Sequence, residues 1–224
     1  MDVREAIATR RARRALRAQP VDDATVLALA DAVRLSPSAL NCQPWRLVFV
    51  RRAAVLHRLC ADLPDYNHWA RNASMIIAVC GQPSDDPAAR EGVDIRGHVP
   101  RLSRFGAPQA HDVVRPLLML DLGIATAFLM LRATELGLVA HPIAGFLQDS
   151  VRAVLEVPSD HDIGVLVVVG TATDAAEAIA AIPVDERHDE HRRPHRMPVE
   201  LYAFADRYGE PVAGAGAGAG DSAR

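Results

Sequence analysis

The chain has 224 residues, half of them hydrophobic and 24% charged, with a formal net charge of −3. That is enough chain for one full core, and the mixed composition excludes a disordered, collagen-like or coiled-coil protein. The near-neutral charge and an aromatic content of only 4% argue against a dedicated nucleic-acid binder with a base-stacking platform.

All 25 basic residues are arginine and none is lysine. A Schiff base to pyridoxal phosphate and the lysine of a phosphate-binding loop are therefore both excluded. Cys42, Cys60 and Cys80 are odd in number and lack C-x-x-C spacing, which predicts reduced thiols and a cytoplasmic protein. The opening MDVREAIATRRARRAL has no apolar signal core, so secretion is not expected.

In chain order, residues 3–17 read as a helix that Gln19-Pro20 breaks. Asp22-Asp23 open a second helix, whose apolar positions Val26, Leu27, Leu29, Ala30 and Val33 run to Arg34. Ser36-Pro37-Ser38 stops it, and a polar loop runs on to Pro44. Residues 45–50 then read as a strand, residues 53–63 as an amphipathic helix and residues 74–80 as a fully apolar strand. Residues 82–110 show no period and read as a long loop or lid.

Residues 111–137 form the longest helical pattern, apolar nearly all round from Pro116 to Leu136. Asp121, Gly123, Arg132 and Glu135 would be expensive in a bilayer, so the reading is a buried central helix rather than a membrane span, with Gly137 as its C-cap. Residues 148–157 read as a short helix and residues 164–170 as a third apolar strand. Residues 199–208 could be extended or helical. The alternating Ala213–Gly220 stretch is low-complexity. It does not fit G-x-G-x-x-G and follows no strand, so no Rossmann fingerprint is present. Helices and apolar strands interleave, which predicts a sheet covered by helices, α+β or α/β. The domain assignment is a single domain over residues 1–210 and a disordered Ala/Gly-rich tail over 211–224.

Four segments could carry chemistry. Arg10, Arg11, Arg13 and Arg14 place four guanidiniums in five residues, which suits an anion such as phosphate or simply a solvated basic face. Pro37 to Trp45 gathers Ser38, Asn41 and Gln43, neutral groups that donate and accept and so suit a flavin edge, or form an ordinary capped loop. Cys42 has no evident partner base. Leu136 to Phe146 is rich in small residues that let backbone approach a planar ligand. His188, His191 and His195 permit a metal, but the neighbouring Arg192, Arg193 and Arg196 would repel a cation, and an anion-binding tail is the better reading.

Taken in order, these segments resemble the FMN-dependent nitroreductase family. Arg10-Arg11-Ala12-Arg13-Arg14-Ala15-Leu16 followed by Pro20-Val21 stands for its R-R-S-V-R-x-F…P-V opening, with Ala12 and Leu16 as departures. Pro37 to Trp45 matches P-S-x-x-N-x-Q-P-W in full. Asp121, Gly123 and Ala125 match D-x-G-x-A, and Gly137-Leu138 with Pro142 to Phe146 match G-L-x-x-x-P-I-x-G-F. Arg196-Met197-Pro198 matches the terminal basic-x-P.

The resemblance implies an α+β, nitroreductase-like three-layer fold, with a central mixed sheet covered by helices in an intertwined homodimer. It implies FMN as cofactor, with NADH or NADPH passing hydride by a ping-pong mechanism to a nitroaromatic, quinone or similar small oxidant. The implied cofactor-binding set is Arg10, Arg11, Ala12, Arg14, Pro37, Ser38, Asn41, Pro142, Ile143, Ala144, Gly145, Arg193 and Arg196. Backbone N–H groups of Ala144 and Gly145 would face flavin N5 and O4, with no catalytic side chain and no metal. The expected partners are a second copy of the chain and a small oxidant, with no nucleic acid and no membrane. The alternatives are a non-catalytic flavin-binding or storage protein, and a dehalogenating or flavin-fragmenting member of the same fold.

Overall fold

The computed structural model describes residues 1–82, 110–190, 192–210 and 212–213. The chain divides into two compact units, Met1–Glu190 and His191–Arg224. The expected lid lies almost wholly outside the described residues, and the expected tail does so apart from residues 212–213.

The first unit is organised by β5 (Asp162–Ala172). It pairs antiparallel with β3 (Met75–Gly81), β4 (Val139–Ile143) and the two-residue β1 (Leu16–Arg17), and β2 (Trp45–Val50) extends the sheet beyond β3. All of these pairings are antiparallel, which corrects the expected mixed sheet for the described residues. The reason is visible in the β2–β3 register, from Trp45 opposite Gly81 to Val50 opposite Ile76. The helical detour between these strands returns the chain to the end where β2 stopped, so β3 runs back alongside it.

β3 is buried along its whole length, and its alternate residues serve different layers. Met75, Ile77 and Val79 pack with Leu29 and Val33 of α2 (Asp23–Arg34) and with Leu118, Leu122, Ala125, Leu129 and Ala133 of α4 (Ala110–Glu135). Ile76, Ala78 and Cys80 pack on the other face. There they meet α3 (Ala53–Ala61), the 3-10 segment Asp65–Asn72, and Val151 of α5 (Gln148–Leu155). Burial on both faces is why these strands read as unbroken apolar runs rather than alternating ones. It also makes the sheet the middle of three layers.

α4 is long and apolar enough to cross a membrane by length and composition. Its inward face is instead the partner of α2 and the sheet. Its end is a Schellman motif. Gly137 takes φ +74, its N–H donates to Thr134 O at 3.0 Å, and the Leu138 N–H donates to Ala133 O at 2.8 Å.

Two elements differ from the expected ones. The helix expected over 3–17 is α1 (Val3–Thr9), capped by the Asp2 carboxylate accepting from the Glu5 N–H at 2.7 Å. The backbone leaves the helix at Arg10. The small-residue stretch after α4 contains β4, an edge strand among the described residues, where Pro142 is tolerated because one side of such a strand needs no ladder donor.

The Gly137 conformation yields a direct test. An L side chain in the left-handed region costs about 1–2 kcal/mol, so Gly137→Ala is expected to lower unfolding stability by about that amount. In urea denaturation the midpoint should fall with the slope unchanged.

Candidate functional site

The basic segment Arg10–Arg14 is irregular backbone between α1 and β1, held by groups far away in sequence. The Glu190 carboxylate, 3% exposed, accepts from the Arg14 N–H at 2.7 Å and the Ala15 N–H at 3.0 Å, and Arg13 Nε approaches it at 3.4 Å. In a continuous helix those two N–H groups would bond back four residues, to the carbonyls of Arg10 and Arg11. Glu190 supplies a charged acceptor instead, and the helical periodicity of the sequence is overridden.

The same peptide is held from its other side. Nδ1 of His141, in β4, lies 3.3 Å from the Arg13 carbonyl oxygen. A carbonyl only accepts, so Nδ1 carries the hydrogen. The ring is buried against Trp69 with centroids 4.6 Å apart. Burial first, and the positive charge of Arg14 second, push its pKa down to about 4. His141 is thus neutral at physiological pH, held so by burial and by Arg14 although the hydrogen bond to Arg13 pulls the other way.

The guanidiniums are divided between tasks. Arg13 donates to Asp174 Oδ1 at 2.7 Å, and Arg14 Nε lies 2.9 Å from Glu186 Oε2. Arg10 and Arg11 are half-buried and Ala12 is exposed. Glu186, Glu190 and Asp174 are not in the expected site set. The only signal for Glu186 and Glu190 in sequence is the acidic content of the run Val184–Glu190, and Asp174 lies outside it; sequence position alone links none of the three to the N-terminal arginines.

The second expected segment is tied to α4. Asp121, buried in that helix, accepts from the Ala39 N–H at 2.9 Å, and the 3-10 turn Ala39–Asn41 starts there. Ser38 Oγ accepts from the Gln43 N–H at 2.9 Å and keeps its own hydrogen to donate. Asn41 and Gln43 hold φ +56 and +48. Left-handed backbone is ordinary for Asn but uncommon for Gln, and such strain collects at functional sites. Asn41 is exposed and Cys42 is buried as a free thiol.

The third segment follows β4. Ile143 is buried, Pro142 half-buried and Ala144 exposed. The Gly145 carbonyl accepts from Asn67 Nδ2 at 2.8 Å. A Cβ on Gly145 would lie 2.5 Å from Tyr66 Oη, so any larger residue would have to displace the tyrosine. Arg193 and Arg196 are exposed in the second unit.

β4 thus carries both His141 and the start of the Pro142–Gly145 stretch, and α4 carries Asp121. The donor set suits FMN by its chemistry. Clustered guanidiniums match a phosphate dianion, and neutral Ser and Asn groups match a ring edge that both donates and accepts.

The family model described as the nitroreductase family matches residues 7–171. A Thermus thermophilus protein named NADH dehydrogenase is 26% identical over 202 residues, which are 87% of this chain and 93% of that protein. Among solved structures, an oxidoreductase containing FMN superposes with a TM-score of 0.71 at 24% identity, covering 94% of each chain. A nitroreductase family protein from Streptococcus pneumoniae TIGR4 superposes with a TM-score of 0.67 at 20% identity, covering 91% of this chain and 100% of its own. These two superpositions speak to the fold.

The buried histidine predicts a pH dependence. Its native pKa of about 4 lies below the ordinary 6.5, so between these values the unfolded chain binds a proton that the native chain does not. The stability it contributes is complete above pH 6.5 and is lost as pH falls towards 4, on the order of 3 kcal/mol in all. His141→Asn keeps a donor for the Arg13 carbonyl but does not titrate. Denaturation midpoints across pH 4–7 should slope less steeply in this variant than in the native chain.

Proposed function

The chain belongs to the nitroreductase family, and from that premise we propose that it is an FMN-dependent oxidoreductase that draws hydride from NADH or NADPH and reduces a small oxidant such as a nitroaromatic or quinone. The observation that carries this reading is the basic segment. It sits inside the family match, leaves helical geometry at Arg10, and is fastened by Glu190 and His141. A merely solvated basic helix face would need no such fastening.

FMN, when bound, supplies the hydride-accepting and hydride-donating chemistry. The chain's part is to bind and orient. Arg10, Arg11 and Arg14 would hold the phosphate by charge-assisted hydrogen bonds, Arg14 doing so while braced by Glu186. Ser38 and Asn41, with Pro37 beside them, would line the ring from a loop that Asp121 keeps in register. Pro142, Ile143, Ala144 and Gly145 would set backbone against the ring face, with Asn67 fixing the Gly145 peptide. Backbone N–H groups of Ala144 and Gly145 would favour electron density at N5 and O4 without titrating. A nicotinamide and an oxidant would take turns over the same ring face, a ping-pong cycle that needs no separate dinucleotide domain.

The reading includes a homodimer. α4 keeps Met119, Leu120 and Phe128 on the surface, and α1, which packs on it, exposes Val3 at 72% and Ile7 at 58%. A second copy would cover this apolar surface, as obligate interfaces do over roughly 2,000 Å² or more. Light scattering at micromolar concentration should give twice the chain mass.

The decisive experiment is a flavin titration followed by turnover. The protein is expected to bind equimolar FMN, to prefer it to riboflavin, and to consume NADH or NADPH when a nitroaromatic or quinone is present. Arg11→Ala should weaken FMN by tenfold or more, since charge-assisted bonds contribute about 1.5–3 kcal/mol, and should leave riboflavin nearly unchanged. Failure to bind FMN overturns the reading. FMN bound without any nicotinamide oxidation points to a flavin-binding protein instead.

A further inference from the structure

We propose that Glu190 is a positioning residue for the flavin phosphate, acting through the Arg13–Arg14 peptide; this rests on the FMN reading above. One peptide unit is gripped at both ends. Its carbonyl, from Arg13, meets Nδ1 of His141 at 3.3 Å, and its N–H, from Arg14, meets Glu190 Oε1 at 2.7 Å. The next N–H, from Ala15, meets Glu190 Oε2 at 3.0 Å. Both carboxylate oxygens are therefore used on consecutive backbone donors, with the side chain only 1% exposed.

A buried carboxylate is costly unless its lone pairs are occupied. Here the occupants are backbone N–H groups and Arg13 Nε, so the charge is satisfied by the turn that it organises. The plane of this peptide sets the direction in which the Arg14 side chain leaves the backbone. The helix has already ended at Arg10, and the grip on this peptide holds the segment in its non-helical course. Ala15 is fully buried and its carbonyl accepts from the Thr173 N–H at 3.1 Å. The far end of the segment is thereby moored to the strand region after β5, and the segment has a fixed base.

The sign of the effect separates positioning from simple electrostatics. Neutralising an anion beside a phosphate site would, by Coulomb attraction alone, tighten phosphate binding. Positioning requires the opposite. Glu190→Gln replaces one acceptor oxygen with an amide NH₂ facing a backbone N–H, which loosens the peptide without removing bulk.

FMN and riboflavin affinities would be measured by flavin fluorescence in the native chain and in Glu190→Gln, with melting curves recorded on the same samples. The expected result is an FMN affinity lowered about tenfold and a riboflavin affinity within about twofold, even if the melting temperature falls. Unchanged or tighter FMN binding overturns the proposal, as does an equal loss for both flavins, the mark of general damage. If the native chain shows no preference for FMN over riboflavin, the phosphate reading itself fails and the positioning role fails with it. If Glu190→Gln does not fold, His141→Leu frees the same peptide from its carbonyl side. It must then show the same FMN-selective loss, and a loss shared with riboflavin overturns the proposal.

Discussion

A single buried carboxylate governs the arrangement of the N-terminal arginines. Glu190 takes two successive backbone N–H groups, and the chain between α1 and β1 can then be neither helix nor loose coil. His141 completes the grip from β4, and its neutrality follows from burial against Trp69 beside Arg14. The edge strand that leads into the Pro142–Gly145 stretch is therefore also the strand that steadies the basic segment. Two of the four candidate segments share one support.

The loop from Pro37 to Trp45 depends on the long helix. Asp121 is buried at a position where burial demands a partner, and the Ala39 N–H provides it. The helix that covers one face of the sheet thus also sets the start of the loop carrying Ser38 and Asn41. Its outer face keeps apolar residues at the surface, which ties the site to the proposed assembly. Packing of the sheet and the start of the candidate loop draw on the same element, so a substitution in α4 is felt in both.

Much of the fold was legible in the residue pattern, and the exceptions share a cause. β2, β3, β5, α2 and α4 announce themselves through apolar runs and periods long enough to outweigh local ambiguity. β1 has two residues and β4 contains a proline, so neither carries a periodic signal. Both exist because β5 is long enough to offer them an edge. The antiparallel sense of the sheet was equally out of reach, since helices between strands are compatible with either direction.

The sequence by itself determined the chemistry on offer: arginines without lysines, a polar loop of full family pattern, an apolar central helix and strands buried on both faces. These are properties of residue type and spacing, and they survive any uncertainty about conformation. Tertiary structure decided how the arginines are used. Arg14 and Glu190 stand 176 positions apart, and no local propensity encodes such a pairing. A helix-compatible run is instead irregular backbone, because a buried charge from the far end of the unit needed hydrogen-bond donors, and these backbone N–H groups were within its reach.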